Sequence, residues 1–273
     1  MPIETGFIND TFPYIKTTKG SKLALIFPGS EDLLISDIKN ARVYVSLYKK
    51  FFPKDYRLLI IGYHQELEDN HTPIDIADQF SSCINEINGS QPATTLMGIS
   101  FGGLVAMAYA MKNVQNVESL ILASSSHRIS EEGLDLITRW MQYMEKNTPR
   151  KLFFDFCNLF KRKFYKYFLM GGITIAWPFL KKLMNAPYTL VNAYKGALSL
   201  MDIAGEFLPR IYSPTLVLGG TKDQIFCEVC YKETAELIPE AKLVLLDGET
   251  HTMLFEHQKA CRKKIRGFLE EIF

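Results

Sequence analysis

The stretch Thr94-Thr95-Leu96-Met97-Gly98-Ile99-Ser100-Phe101-Gly102-Gly103-Leu104-Val105-Ala106 decides the fold. An apolar, β-prone run enters it and a helix-prone run leaves it. Between them, Gly98-Ile99-Ser100-Phe101-Gly102 is a complete G-x-S-x-G. A serine on so sharp a strand-to-helix turn is held in a strained backbone conformation, with its hydroxyl pushed out above the sheet. The residues two before and two after it come too close to their neighbours to carry side chains, so both are glycine. Gly103, Ala106 and Ala110 keep the next helix slim where it lies on the sheet. The plain alternative is a glycine-rich turn with no chemistry; the flanking strand and helix favour a nucleophile.

Outward from this stretch, strands and helices alternate. A continuous apolar run at 23–27 suits a strand buried on both faces, 57–62 reads as the next buried strand, and 117–123, 214–220 and 242–247 read as further strands. Helical periodicity runs over 36–52, from Pro73 through Ile87, near 228–237 and over 253–273. Residues before about Thr18 suit one or two short edge strands. This alternation implies an α/β protein, with a mostly parallel central sheet flanked by helices. From about 124 to 209 the strand rhythm stops, and the chain becomes helical, basic and aromatic. We read one domain over 1–273, with its core at about 1–123 and 210–273 and a helical cap inserted at about 124–209.

Bulk properties narrow the function. A chain of 273 residues can bury a sizeable core, and a net charge of +1 offers no global field for nucleic acid. Five scattered cysteines do not form a disulfide framework, and a reducing, cytoplasmic setting is expected. The opening residues lack the pattern of a signal peptide. The longest apolar stretch, 170–180, is too short to span a bilayer and contains Pro178.

In open α/β sheets, functional loops gather beyond the carboxyl ends of the strands. Ser100 is at one such end, Thr221-Lys222-Asp223 follows another, and Gly248-Glu249-Thr250-His251 follows the last. The order Ser100, Asp223, His251 resembles the α/β-hydrolase superfamily, whose triad runs Ser, acid, His. The resemblance covers nearly the whole chain, from about Leu23 onward. It implies the α/β-hydrolase fold and an acyl-serine mechanism. His251 would take the Ser100 proton, and Asp223 would fix the imidazole tautomer and stabilise the imidazolium. The Phe101 and Ser30 amides would form the oxyanion hole. The family usually has His-Gly before that second donor; here it is Pro28-Gly29, which leaves the bracing of the loop open.

Rival assignments are weaker. The loop after the 117–123 run has no carboxylate until Glu131, so Asp223 is preferred as the acid, and Asp247 reads as a turn residue. His127 follows a strand end and is a candidate pocket residue, or else a capping histidine. No histidine pair has metal-ligand spacing, so neither metal nor other cofactor is expected. Cys227-Glu228-Val229-Cys230 is a C-x-x-C without a second pair, and reads as two half-buried helix residues rather than a redox or zinc site.

The insertion carries both tryptophans and many phenylalanines, so the surface it turns toward Ser100 should be apolar. Gly29, His127, Trp140 and Trp177 are the candidate substrate contacts. The expected activity is hydrolysis of an ester or related acyl bond in a largely apolar small substrate. Thioesterase, acyltransferase or C–C hydrolase chemistry on the same triad remains open, as does a binder or receptor without turnover. The basic and aromatic residues of 161–168 are compatible with contact to a lipid surface, although a solvated helix face is the plainer reading.

Overall fold

The computed structural model describes residues 2–64, 66–69, 71–88, 93–201 and 203–273, together with the backbone alone of Asp37. The chain opens with a hairpin, β1 (Ile3–Ile8) and β2 (Phe12–Thr17), which are antiparallel. Asn9 and Asp10 at its turn both have positive φ, which polar short side chains tolerate. β3 (Lys22–Phe27) leads to a four-residue helix α1 (Glu31–Leu34) and then to α2 (Ala41–Tyr48). The periodicity over 36–52 overstated this helix, because residues 37–40 form a separate 3-10 turn.

β4 (Tyr56–Ile61), α3 (Pro73–Asn88), β5 (Thr95–Ile99), α4 (Phe101–Lys112) and β6 (Leu120–Ala123) follow. Between β6 and the next strand the described residues hold α5 (Glu131–Glu145), α6 (Pro149–Cys157), α7 (Lys163–Leu183), α8 (Pro187–Met201) and α9 (Ala204–Phe207). The chain then resumes with β7 (Thr215–Gly220), α10 (Glu228–Leu237), β8 (Ala241–Leu246), α11 (Met253–Glu256) and α12 (Gln258–Ile272). Among the described residues no helix is long and apolar enough to cross a membrane.

The eight strands lie in the order β1-β2-β4-β3-β5-β6-β7-β8, parallel from β4 to β8. Helices cover both faces. Phe80 of α3, Leu104 of α4 and Tyr231 of α10 belong to one core layer; Tyr48 of α2 and Ile265 and Phe268 of α12 belong to the other. The order reverses between β3 and β5, so the chain leaves these two neighbours in opposite directions. Such a reversal opens a crevice at the carboxyl edge of a sheet. The loop after β3 and the turn after β5 flank it here.

The crevice depends on close backbone approach. A β-carbon on Gly102 would lie 2.2 Å from the Phe27 carbonyl oxygen and 2.3 Å from that of Pro28. Both are main-chain atoms and cannot swing aside. Gly102→Ala should therefore lose about 1–3 kcal/mol by overpacking. Gly267→Ala, in α12 where nothing lies within 4 Å of the new carbon, should gain about 0.5–1 kcal/mol. Urea unfolding of both variants beside the wild type checks the two opposite signs.

Candidate active site

Ser100 has φ 51° and ψ −120°, a left-handed conformation that costs about 1–3 kcal/mol for a non-glycine residue. Its N–H donates to the Ala123 carbonyl at 3.0 Å, and its carbonyl accepts from the Gly103 N–H at 2.9 Å. The glycines around it are needed sterically. A β-carbon on Gly98 would sit 2.5 Å from the Gly102 carbonyl oxygen, and one on Gly103 would sit 2.1 Å from Ser125 Oγ.

The strand ends bring the three sequence candidates together. Ser100 Oγ lies 2.9 Å from His251 Nε2, and His251 Nδ1 lies 3.0 Å from Asp223 Oδ2. Asp223 also accepts the Ile225 and Phe226 N–H groups on Oδ1, at 2.8 and 2.9 Å, and the Tyr231 hydroxyl on Oδ2 at 2.7 Å. Three protein donors thus fix the carboxylate in place. Burial and the facing Asp223 charge push the Tyr231 hydroxyl well above the usual phenol range, so it stays a donor. With Nδ1–H directed at Asp223, Nε2 accepts from the serine hydroxyl. The Ser124 hydroxyl donates to the His251 carbonyl at 3.0 Å and steadies the loop from the β6 side.

The acid and histidine loops are laced together. The Lys222 N–H donates to the Glu249 carbonyl at 2.9 Å, and Gly220 lies so close that a β-carbon would be 2.2 Å from the same oxygen. Asp247 is exposed and accepts a 3.3 Å bond from Thr221, away from His251. Glu249 is buried but is directed at Lys161 (2.8 Å) and His257 (3.3 Å).

Ser30 immediately precedes α1, and Phe101 opens α4. Among the described residues neither backbone N–H is given to another protein group. The loop that carries Ser30 is braced without a histidine: Tyr63 donates its hydroxyl to the Pro28 carbonyl at 2.6 Å, and Asp32 accepts the Tyr63 N–H at 2.7 Å. A small chamber of about 20 Å³ lies over Ser100 and His251, walled by Ser30, Glu31, Trp140, Phe156 and Phe255. Beside it, sharing Ser30, Glu31, Trp140 and Phe156, is an apolar cavity of about 200 Å³ that reaches Leu169 and Ile173 of α7. The larger hollow of about 700 Å³ around Leu67, Met144 and Tyr188 holds none of these groups.

Two expected contacts lie elsewhere and a third is indirect. His127 is buried away from the chamber. Its Nδ1 meets Thr234 Oγ1 at 2.8 Å, and burial lowers its pKa, so the ring is a neutral structural link to α10. Trp177 packs edge-on against Phe153 at 5.8 Å and lines a separate hollow with Lys151 and Lys181. It is one helical turn beyond Ile173, past the end of the cavity. Gly29 walls neither space; it gives Glu31 room, since a β-carbon there would lie 2.3 Å from Glu31 Oε2. Trp140 is buried and walls both spaces.

Glu31 itself had no sequence signal beyond its place after Ser30. Among the described residues it is the one charged residue in the wall of the apolar cavity. Burial pushes its carboxyl pKa up, partly offset by the N–H groups of Glu31 and Gly29 and by His251. The C-x-x-C pair sits at the start of α10 with its sulfurs 3.2 Å apart, and burial and Cys227 push the Cys230 thiol up to about 12.

Residues 62–258 match the family model described as the alpha/beta hydrolase fold. Among characterised relatives, the proline iminopeptidase PfmaB of Pestalotiopsis fici is 27% identical over 92% of this chain and 97% of its own length. A proline iminopeptidase of Saccharolobus solfataricus is 25% identical over 90% of this chain and 82% of its own. Among solved structures, MGS-M2, an alpha/beta hydrolase enzyme from a Medee basin deep-sea metagenome library, superposes with a TM-score of 0.78 at 18% identity, covering 98% of this chain and 97% of that one. A thermophilic esterase from Thermogutta terrifontis gives 0.70 at 20% identity, with 96% and 93% covered.

The geometry separates the two aspartates. Asp223→Asn would favour the wrong imidazole tautomer and should slow phosphonylation of Ser100 by about 10³–10⁴-fold. Asp247→Asn should leave that rate within about twofold. Labelling kinetics with a fluorophosphonate, followed by peptide mapping, tests both; equal rates in the two variants would refute the assignment of the acid.

Proposed function

The chain belongs to the alpha/beta hydrolase fold family, and from that premise we propose that it is a serine hydrolase cleaving an ester or related acyl bond through an acyl-serine intermediate. The observation that carries this reading is the continuous hydrogen-bonded line from Ser100 Oγ through His251 to Asp223. A serine hydroxyl is a weak nucleophile at neutral pH unless a base takes its proton as it attacks. Nε2 of His251 is placed to do so and then to protonate the leaving group. Asp223, held by three other donors, keeps the imidazole in the required tautomer and offsets its transient positive charge. The tetrahedral oxygen would be received by the N–H groups of Phe101 and Ser30. Water entering by the same route would release the acid.

The cavity beside the nucleophile sets the size of the group it takes. An apolar cavity of about 150 Å³ holds a benzene-sized molecule, so about 200 Å³ accommodates a compact acyl or alcohol group only slightly larger. Its wall of Trp140, Leu152, Phe153, Phe156 and Leu190 favours hydrocarbon. The helical insertion thus acts as a cap that selects substrate. Each methylene it accepts is worth about 0.8 kcal/mol, or up to fourfold in kcat/KM.

One observation favours a second reading, an amide whose acyl part carries an ammonium group. Glu31 lines both spaces, and among the described residues it forms no ion pair with a Lys or Arg side chain. Burial raises the pKa of this carboxyl, and an ammonium group bound beside it would favour the charged form. Proline iminopeptidases among the relatives make an aminoacyl substrate worth testing.

Ser100→Ala should fold normally and lose at least about three orders of magnitude in kcat on any substrate turned over. With p-nitrophenyl esters, kcat/KM should climb from acetate to a maximum near six carbons and then fall. Ile173→Ala should move the maximum to longer chains and Trp177→Ala should not; a flat profile would exclude acyl selection by the cavity. Prolyl and cyclopentanecarbonyl p-nitroanilides, matched in size but not charge, decide the second reading. A preference for the prolyl compound that Glu31→Gln abolishes supports it, and no preference removes it.

A further inference from the structure

Helix α7 (Lys163–Leu183) is unlike the other long helices of the molecule: none of its residues is buried. Phe164, Phe168, Ile175 and Phe179 are 74, 68, 85 and 65% exposed. Successive residues turn by about 100°, so these four fall within an arc of about 60° on one side of the helix. The opposite side carries Leu169 and Ile173 into the apolar cavity. Large apolar side chains scattered singly on a surface are ordinary, but a stripe of four along a 21-residue helix is not. Gly171 and Gly172 lie within the helix with nothing within 4 Å of the β-carbon either would carry, and Pro178 lies inside it too. Each weakens a helix in water, so α7 has little support of its own against solvent.

The charge pattern says what covers the stripe. No Asp or Glu occurs between Asp155 and Asp202, whereas seven Lys and Arg do, in a chain whose net charge is +1. Arg162 and Lys163 stand at one end of the stripe and Lys181 and Lys182 at the other; among the described residues none of these four is in an ion pair. A second copy of this chain packed along the stripe, parallel or antiparallel, would set positive ends against positive ends. A planar array of anionic headgroups over hydrocarbon matches both the charge and the apolar side chains.

We propose that α7 docks the protein on an anionic lipid surface, lying in the interface with Phe164, Phe168, Ile175 and Phe179 inserted and the basic ends on the headgroups. The helix lies on the membrane rather than crossing it, since it is not apolar enough to span. Docking leaves only the thickness of α7, about 10 Å, between a source of apolar substrate and the cavity beside Ser100. The proposal does not depend on which acyl bond is cut. It extends the contact read from residues 161–168 to the whole helix.

The test is co-sedimentation of the full chain with vesicles of phosphatidylcholine alone, or with 30% phosphatidylserine, at 0.1 and 0.5 M NaCl. The wild type should bind the phosphatidylserine vesicles, more weakly at high salt, and bind the neutral ones poorly. A basic residue at such a surface is worth roughly fivefold in binding, so Lys163→Glu with Lys182→Glu should weaken binding at least tenfold. Phe168→Glu with Phe179→Glu should abolish binding while the melting temperature and phosphonylation rate of Ser100 stay unchanged, because neither ring touches the site. Failure of the wild type to bind, or binding indifferent to these substitutions, overturns the proposal. So does a dimer in light scattering that the phenylalanine variant dissociates without any vesicle binding, which would make a second copy the occupant.

Discussion

Everything in the site depends on the backbone of Ser100. A serine at φ 51° is not a conformation the residue adopts freely. It is held because α4 starts directly against the end of β3. That contact requires Gly102 on the Phe27 and Pro28 carbonyls, Gly98 under the first turn of α4, and Gly103 against Ser125. Three neighbouring strands, β3, β5 and β6, therefore converge on one residue. The same approach places the Phe101 amide and the Ser30 loop on opposite sides of the crevice. Strain at Ser100 and the placement of the Phe101 and Ser30 amides are consequences of one packing contact.

Asp223 is the second fixed point. It joins β7 to α10 through Tyr231, to its own loop through Ile225 and Phe226, and to the histidine loop through His251. A buried carboxylate with so many partners leaves His251 little freedom to turn. The ring of Phe226, 5.8 Å from that of His251, covers the pair on one side. Water is kept from the side of the imidazole that needs orientation, while Nε2 faces the chamber.

The sequence was legible wherever one local rule sufficed. β3, β5 and β7 are covered on both faces, so their apolar runs were continuous. Ser100 and Asp223 could be found because each lies just past such a run, and His251 because it follows the half-buried edge strand β8. Where two rules competed, the reading strayed. Val117 makes a lone bridge to Ala93, and β6 begins only at Leu120, because Ser119 is turned to the Thr94 carbonyl and Thr95. The periodicity over 253–273 hid a break at His257, where α11 ends and α12 begins. α1 is too short to show a period at all, and Glu31 was hidden with it. His127 and Trp177 are correct in chemistry for a pocket. Thr234 claims the first, and one extra helical turn carries the second past the cavity.

The helical insertion is not an independent lid resting on the sheet, because its most exposed helix is tied to the loop that carries His251. The buried Glu256 carboxylate accepts the Lys161 and Arg162 N–H groups at 2.8 and 2.9 Å, just before the start of α7, and the Thr252 hydroxyl at 2.9 Å. It thereby offers negative charge to the positive end of a long helix, where the backbone donors lack partners within the helix. Lys161 returns the link through its 2.8 Å ion pair with Glu249. His251 lies between Glu249 and Thr252 in sequence, so both ends of its loop are fastened to the beginning of α7. Such a connection costs little in a static fold, since it satisfies groups that burial would otherwise leave unpaired. Its consequence is that the position of α7 and the position of the imidazole are set by the same hydrogen bonds. The surface that meets the surroundings and the base that would drive the reaction are parts of one mechanical unit.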